Sequence, residues 1–255
     1  MGITKPYYRI IRPLHPQDPD ICAAAYDWYW ERDFPADPRY ANDRQELWRA
    51  YMLIEKDLLR LFEYVEPTDD NIEIYSHRTY ELLLRAATEF ETNCKRILES
   101  NGYSRRKNLN TKDYFKIHKS SKLGDYAIFM TVWFPKKKLL KPFQAWADGN
   151  SSLSWYQSYN LVKHDRNREF PKASLENVLM AVAALYIILF SQFVFVIDRH
   201  LSVHVDLVNY EECTISQPGH IFEVMPPRWS EDEIYDFDWE EIKGDSWPFA
   251  RFPFG

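Results

Sequence analysis

A mainly α-helical protein, built as an antiparallel helix bundle with a small β element and an aromatic-rich C-terminal strap, is the fold class that this 255-residue sequence predicts. Three observations carry the prediction. Apolar residues recur three and four apart through several long stretches, strict apolar/polar alternation is confined to the region after residue 199, and the final segment is first acidic and then rich in rings. Hydrophobic residues make up 45% of the chain and aromatics 16%, enough apolar surface for a core, so disorder throughout is excluded. The length fits one large domain, or one domain with a small appendage.

The first helix is predicted over residues 43–63, where Leu47, Ala50, Tyr51, Ile54, Leu58, Leu61 and Phe62 form one stripe before Pro67 and Asp69 break the pattern. The second spans 76–100, with Tyr80, Leu83, Leu84, Ala87, Phe90, Cys94, Ile97 and Leu98 on one face and Asn101-Gly102 as its C-cap. Cys94 therefore reads as a buried core thiol. Asn110 or Thr111 can cap a short helix toward His118, and residues 127–134 form a β-rich apolar run that ends at Pro135. A third long helix follows over 153–164. Ser174 caps the fourth, which begins at Leu175.

Residues 178–197 carry no charge, and at 1.5 Å per residue they are long enough to span a membrane. A buried central helix is the expectation, because the three amphipathic helices need an apolar partner and the flanks Glu176, Asp198 and Arg199 mix signs. A membrane anchor stands as the alternative. Beyond Arg199, alternation over 202–208, a turn at Pro218-Gly219 and a second run over 221–224 predict a β-hairpin or small sheet. Trp239, Trp247, Phe249, Phe252 and Phe254 are expected to strap the tail onto the helices.

Charge and composition exclude several functions. A net charge of −6 rules out a basic nucleic-acid coat, so any RNA or DNA contact needs a local patch. With 7 glycines and neither GxGxxG nor GxxxxGK[ST], the chain has no phosphate-cradling loop. Cys22, Cys94 and Cys213 are odd in number, far apart and never in a CxxC, which argues against a disulfide scaffold and a zinc knuckle and makes a reducing cytoplasm the expected location. Residues 1–16 contain no apolar core of a signal peptide.

One segment carries the most chemistry. Tyr156, Asn160, Lys163 and His164 lie at helical offsets that place them on one polar face, with Arg166 and Arg168 just beyond in the following loop. The stretch Trp155-Tyr-Gln-Ser-Tyr159-Asn160-Leu-Val-Lys163-His164-Asp165-Arg166, followed by a capped apolar helix, resembles the signature region of HEPN domains, over roughly residues 75–197. These are small helical bundles found in many prokaryotic toxins and defence proteins. Their catalytic members carry an Arg, often followed by Asn, with a His four to six residues on. Asn160 and His164 match that arrangement, whereas the Arg position holds Tyr159.

The resemblance implies a HEPN-like bundle over 43–198, an N-terminal extension over 1–42 and a β-hairpin with an aromatic and acidic segment over 199–255. It also implies a homodimer, RNA as partner, and metal-independent RNA cleavage with His164 and Asn160 as catalytic residues. Tyr156, Lys163, Arg166 and Arg168 would contact nucleic acid, with no cofactor, no metal and no membrane. The competing reading is a non-catalytic helical interaction or dimerisation module, in which Trp155, Tyr159 and Val162 face the core and His164, Asp165 and Arg166 only close the helix.

Other constellations are weaker. The pairs Arg9 with His15 and Arg199 with His204 share the Arg-to-His spacing without the helical context. His200, His204 and Asp206 could share a face toward a metal, but no third and fourth ligand pair is evident. Asp232, Asp236, Asp238, Glu241 and Lys243 read as an acidic surface segment pinned by Trp239. Arg105-Arg106-Lys107 and Lys136-Lys137-Lys138 with Lys141 could join Lys163, Arg166 and Arg168 in a positive face, with Tyr114, Phe115 and Trp133 as stacking surfaces.

Overall fold

The computed structural model describes residues 2–14, 33–104, 109–194, 207–209, 213–216 and 219–255. The chain is mainly α-helical with a small antiparallel sheet. Among the described residues five longer helices, α1 (Arg44–Phe62), α2 (His77–Ser100), α3 (Thr111–Ser121), α4 (Ser154–His164) and α5 (Leu175–Phe193), are accompanied by single helical turns and loops.

Local chemistry sets the helix ends. Ser76 accepts a hydrogen bond from the backbone N–H of Thr79, whose hydroxyl accepts in return from Ser76 N at 2.7 Å, a capping box that starts α2. Gly102 at φ +82° lets the chain leave α2, with the N–H of Tyr103 donating back to the carbonyl of Leu98. Asn110 and Asp113 form the same reciprocal cap on α3, and Ser174 caps α5. The expected stripe of α2 is buried from Leu83 to Leu98, with Tyr80 and Leu84 half-buried at its edge. Cys94 sits fully buried within it, and burial pushes its thiol well up.

The apolar helix α5 is the core. It lies along α2 and also touches α1 and α4, so that nearly every side chain from Leu175 to Phe193 is buried. It passes a length and composition test for a membrane span, yet here protein covers its sides. Its polar residues explain how the N-terminal segment attaches. Gln192 donates to the Asn93 side chain at 2.8 Å and accepts from the Arg9 guanidinium at 3.3 Å, and Arg9 also reaches Ser100 and Asp43. Arg9, at φ +59°, and its neighbours Ile10, Ile11 and Arg12 are buried against the bundle. The Arg12 guanidinium donates to the carbonyls of Ser120 and Glu233 and lies 4.8 Å from the Trp229 ring.

The sheet runs β2 (Lys138–Leu140), β1 (Ala127–Met130), β5 (Phe222–Met225), β4 (Thr214–Ser216), β3 (Leu207–Asn209), all antiparallel. The late hairpin thus pairs with a strand from mid-chain, with Ile128 opposite Val224 and Val224 opposite Ile215. Ile128, Met130, Ile215, Phe222 and Val224 pack inward, while Phe129, Leu139, Glu223 and Ser216 share the outer face. The β-rich run stops at Met130, shorter than the sequence suggests, because the chain turns before the Phe134–Pro135 bond.

The C-terminal strap forms through Trp239, Phe249, Phe252 and Phe254, all buried, and through Tyr235, whose hydroxyl donates to the Ile10 carbonyl at 2.7 Å. Trp247 departs from the expectation, at 73% exposed. Cys213 departs as well: it is disulfide-bonded, to a partner outside the described residues, where the spacing of the cysteines suggested free thiols.

Candidate functional site

Helix α4 divides its residues by direction. Trp155, Tyr159 and Val162 are buried, with the Trp155 indole donating to the Pro142 carbonyl at 3.0 Å, and Tyr156 joins them at the core's edge. The ring of Tyr156 packs against Phe90 and Tyr159, and its hydroxyl donates to Glu91 on α2 at 2.8 Å. Burial, with that carboxylate beside it, pushes the Tyr156 phenol up, so it stays protonated and a donor.

A groove of about 680 Å³ opens between α2, α4 and the start of α3. Glu91, Lys95 and Glu99 line it from α2, Tyr103 and Ser104 from the loop after it, Asn110 and Thr111 from the cap of α3, and Tyr156, Asn160 and Lys163 from α4. Two ammonium groups and two carboxylates therefore share it. Lys95 lies 3.5 Å from Glu91, Glu99 is exposed, and Lys163 donates to the Tyr159 hydroxyl at 2.9 Å while sitting 4.9 Å from the ring centroid. That hydrogen bond raises the Lys163 pKa, so its charge is secure at neutral pH. Tyr159, at the position where the resemblance read from the sequence would imply Arg, accepts this bond from Lys163 through its hydroxyl.

The structure brings together three of the six residues singled out from the sequence: Tyr156, Asn160 and Lys163. His164, Arg166 and Arg168 are exposed and line no part of the groove. The helical wheel explains the split. At about 100° per residue, Asn160 and Lys163 fall within about 40° of Tyr156, whereas His164 falls about 80° away. The chain then turns at Asp165, which caps the turn Arg166–Glu169 by accepting from Arg168 N. Arg166 stacks 5.8 Å from the Tyr80 ring and Arg168 lies 3.7 Å from Asp165. Glu91, Lys95, Glu99 and Tyr103 were missed; the first three form a polar i, i+4, i+8 row on α2 that could have signalled them, while Tyr103 lies in the loop beyond.

The expected positive face is divided. Lys136, Lys137 and Lys138 line a different groove on the β1–β2 hairpin, where Lys137 pairs with Glu223 and Lys138 with Asp69. Residues 105–107 lie outside the described residues, as do His15, Arg199, His200, His204 and Asp206. Tyr114 and Trp133 are buried, and Phe115 stacks on His118, so none of the three presents a free ring. The acidic segment behaves as read: Asp238 caps the turn Trp239–Ile242, Trp239 is buried, and Lys243 pairs with Glu240.

A second polar cluster was invisible in the sequence. Glu55, buried on α1, accepts from the Tyr51 hydroxyl at 2.7 Å, from His220 Nδ1 at 2.6 Å and from the backbone N–H of Ile221 at 3.1 Å. It ties α1 to the start of β5, and the rings of Trp48, Tyr51 and Tyr186 surround His220. Among the described residues, no set of three His, Cys, Asp or Glu side chains is placed to hold a metal ion. The chain matches no family model, no curated protein and no solved structure.

Proposed function

We propose that the chain is a HEPN-like protein of the toxin or defence kind that contacts RNA through the groove between α2 and α4. The observation that carries this reading is the convergence of Tyr156, Asn160 and Lys163, from the HEPN-like segment, with Lys95 and Tyr103 in one concave polar site. Lys163 and Lys95 would meet phosphate, Asn160 would meet a base edge, and the exposed Glu99 would accept from an exocyclic amine. RNA contact is better supported than cleavage. His164, the candidate base, lies off the groove, and Tyr159 offers no guanidinium to stabilise phosphate charge.

The test has two arms. Purified protein is titrated with labelled RNA across a salt series, parent against Lys163→Gln, and is separately incubated with total RNA and tRNA in EDTA, parent against His164→Ala. Contact without cleavage predicts salt-sensitive binding weakened in Lys163→Gln, and intact RNA in both cleavage reactions. Cleavage abolished by His164→Ala would restore catalysis to the reading. Absence of RNA binding would overturn it.

A second reading is a helical interaction module that forms a homodimer. It is favoured by Met52, Leu53 and Leu59, exposed on α1 beside a groove lined by Leu53, Ile54, Leu84 and Thr88. Sedimentation equilibrium of the parent against Leu53→Glu discriminates: a dimer that dissociates in the variant supports this module.

A further inference from the structure

The outer face of the sheet carries a groove that the helical site does not use. Its volume is about 790 Å³. Phe129 and Leu139, directly opposed across β1 and β2, supply its apolar floor, and Trp133 closes one side. Lys136, Lys137 and Lys138 form the rim. Beside it, the hairpin loop leaves Phe134 at 63% exposed, held there by a hydrogen bond from its N–H to the Pro67 carbonyl at 2.9 Å. An exposed phenyl ring on a pinned loop, next to an exposed lysine, is unexplained by packing.

The electrostatics favour an anion. Lys137 lies 2.7 Å from Glu223 and Lys138 lies 2.5 Å from Asp69, while Lys136 stands exposed on the rim with no salt bridge among the described residues. Lys138 is also held 4.9 Å from the Trp133 ring, which fixes its position. Shape narrows the partner further. A bilayer is flat and would meet the tip alone, whereas a concave trough with an aromatic floor and a cationic rim accommodates a chain of planar groups joined by phosphates. A duplex keeps its bases stacked inside and cannot offer them to Phe129 or Phe134.

We propose that this sheet-face groove binds single-stranded RNA, with bases stacking on Phe134 and Phe129 and a phosphate on Lys136. The site is independent of the groove between α2 and α4 and stands whether or not that groove binds RNA.

The experiment uses the full chain and fluorescence anisotropy with a labelled twelve-nucleotide oligouridine, an RNA duplex of the same length, and phosphatidylserine/phosphatidylcholine vesicles. Single strand is expected to bind in preference to duplex. Phe134→Ala should weaken it about five- to tenfold, the lower end of the range for a lost base–aromatic stack and fitting for an exposed ring. Lys136→Gln should weaken it and lower the slope of log affinity against log salt by about 0.7. Both side chains are exposed, and circular dichroism and melting temperature confirm that each variant folds. Unchanged affinity in both variants, with loss only in Lys163→Gln, would place all binding in the helical groove and overturn this proposal while sparing the other. No RNA binding at all would overturn both. Binding to vesicles alone, lost in Phe134→Ala, would assign the surface to membranes and overturn it equally.

Discussion

Replacing Glu55 by Ala isolates one buried long-range tie. The carboxylate is buried on α1 and accepts from Tyr51, His220 and the N–H of Ile221. Burial, together with the adjacent carboxylate, pushes the Tyr51 phenol well up, so its hydroxyl remains a donor at any ordinary pH. Truncation leaves three donors without an acceptor in a water-poor site, each costing about 1–3 kcal/mol. Release of the carboxylate's own desolvation offsets part of this, so the net loss is expected near 3–5 kcal/mol, the range for breaking a buried polar pair. Glu55→Gln keeps an oxygen for Tyr51 and Ile221 and loses only the charged contact to His220, so about 1–2 kcal/mol is expected. Urea unfolding followed by far-UV circular dichroism reads both. With a slope of about 3 kcal/mol per molar, the midpoint should fall by about 1–1.7 M in Glu55→Ala and by about 0.3–0.7 M in Glu55→Gln. Equal losses in the two variants, or less than about 1 kcal/mol in Glu55→Ala, would refute the reasoning, because acceptor loss would then not be what matters.

Gly124→Ala should destabilise by about 1–3 kcal/mol in the same assay, since a Cβ there would lie 2.5 Å from the Ala147 nitrogen, a backbone atom that cannot swing aside. Ser76→Ala removes half of the α2 capping box and should lower stability by about 1 kcal/mol, measured by thermal melting. His118 accepts the N–H of Gly124 at its Nδ1, and burial lowers its pKa from 6.5; below that value the unfolded chain takes the proton first, so stability falls with pH until the folded imidazole also titrates. The urea midpoint of the parent should therefore drop between about pH 7 and pH 5 by more than that of His118→Gln. The buried Cys94 thiol should resist a thiol reagent in native protein and react once urea is added, whereas Cys213 should need reductant as well.

Much of the helical frame is legible residue by residue. The stripe from Leu83 to Leu98, the caps Asn110 and Ser174, and the charge-free run from Val178 to Phe193 depend on neighbours within one or two turns, and local hydrogen bonds and burial periodicity suffice to read them. The buried side of α4, with Trp155, Tyr159 and Val162, follows from the same periodicity. The α4 side of the candidate groove was legible too, because Tyr156, Asn160 and Lys163 lie within about two turns of one helix. The rest of its lining was not. Glu91, Lys95 and Tyr103 reach the groove from a helix and a loop far upstream, and His164 misses it because the last residue of α4 has rotated past the edge.

The sequence by itself determined the mainly α-helical class, both ends of α2, the starts of α3 and α5, the buried thiol of Cys94 and most of the buried aromatic strap, all properties of short-range pattern and composition. Only the tertiary structure decided that β1 joins the late strands, that Arg9 binds Gln192 near the end of α5, that Glu55 meets His220, and that the lysines of the hairpin and of α4 occupy separate grooves. Glu55 and His220 are 165 residues apart, and Arg9 and Gln192 are 183 apart. At such separations a contact is stabilised by desolvation and geometry that exist only once the helices have packed, and no local propensity records it.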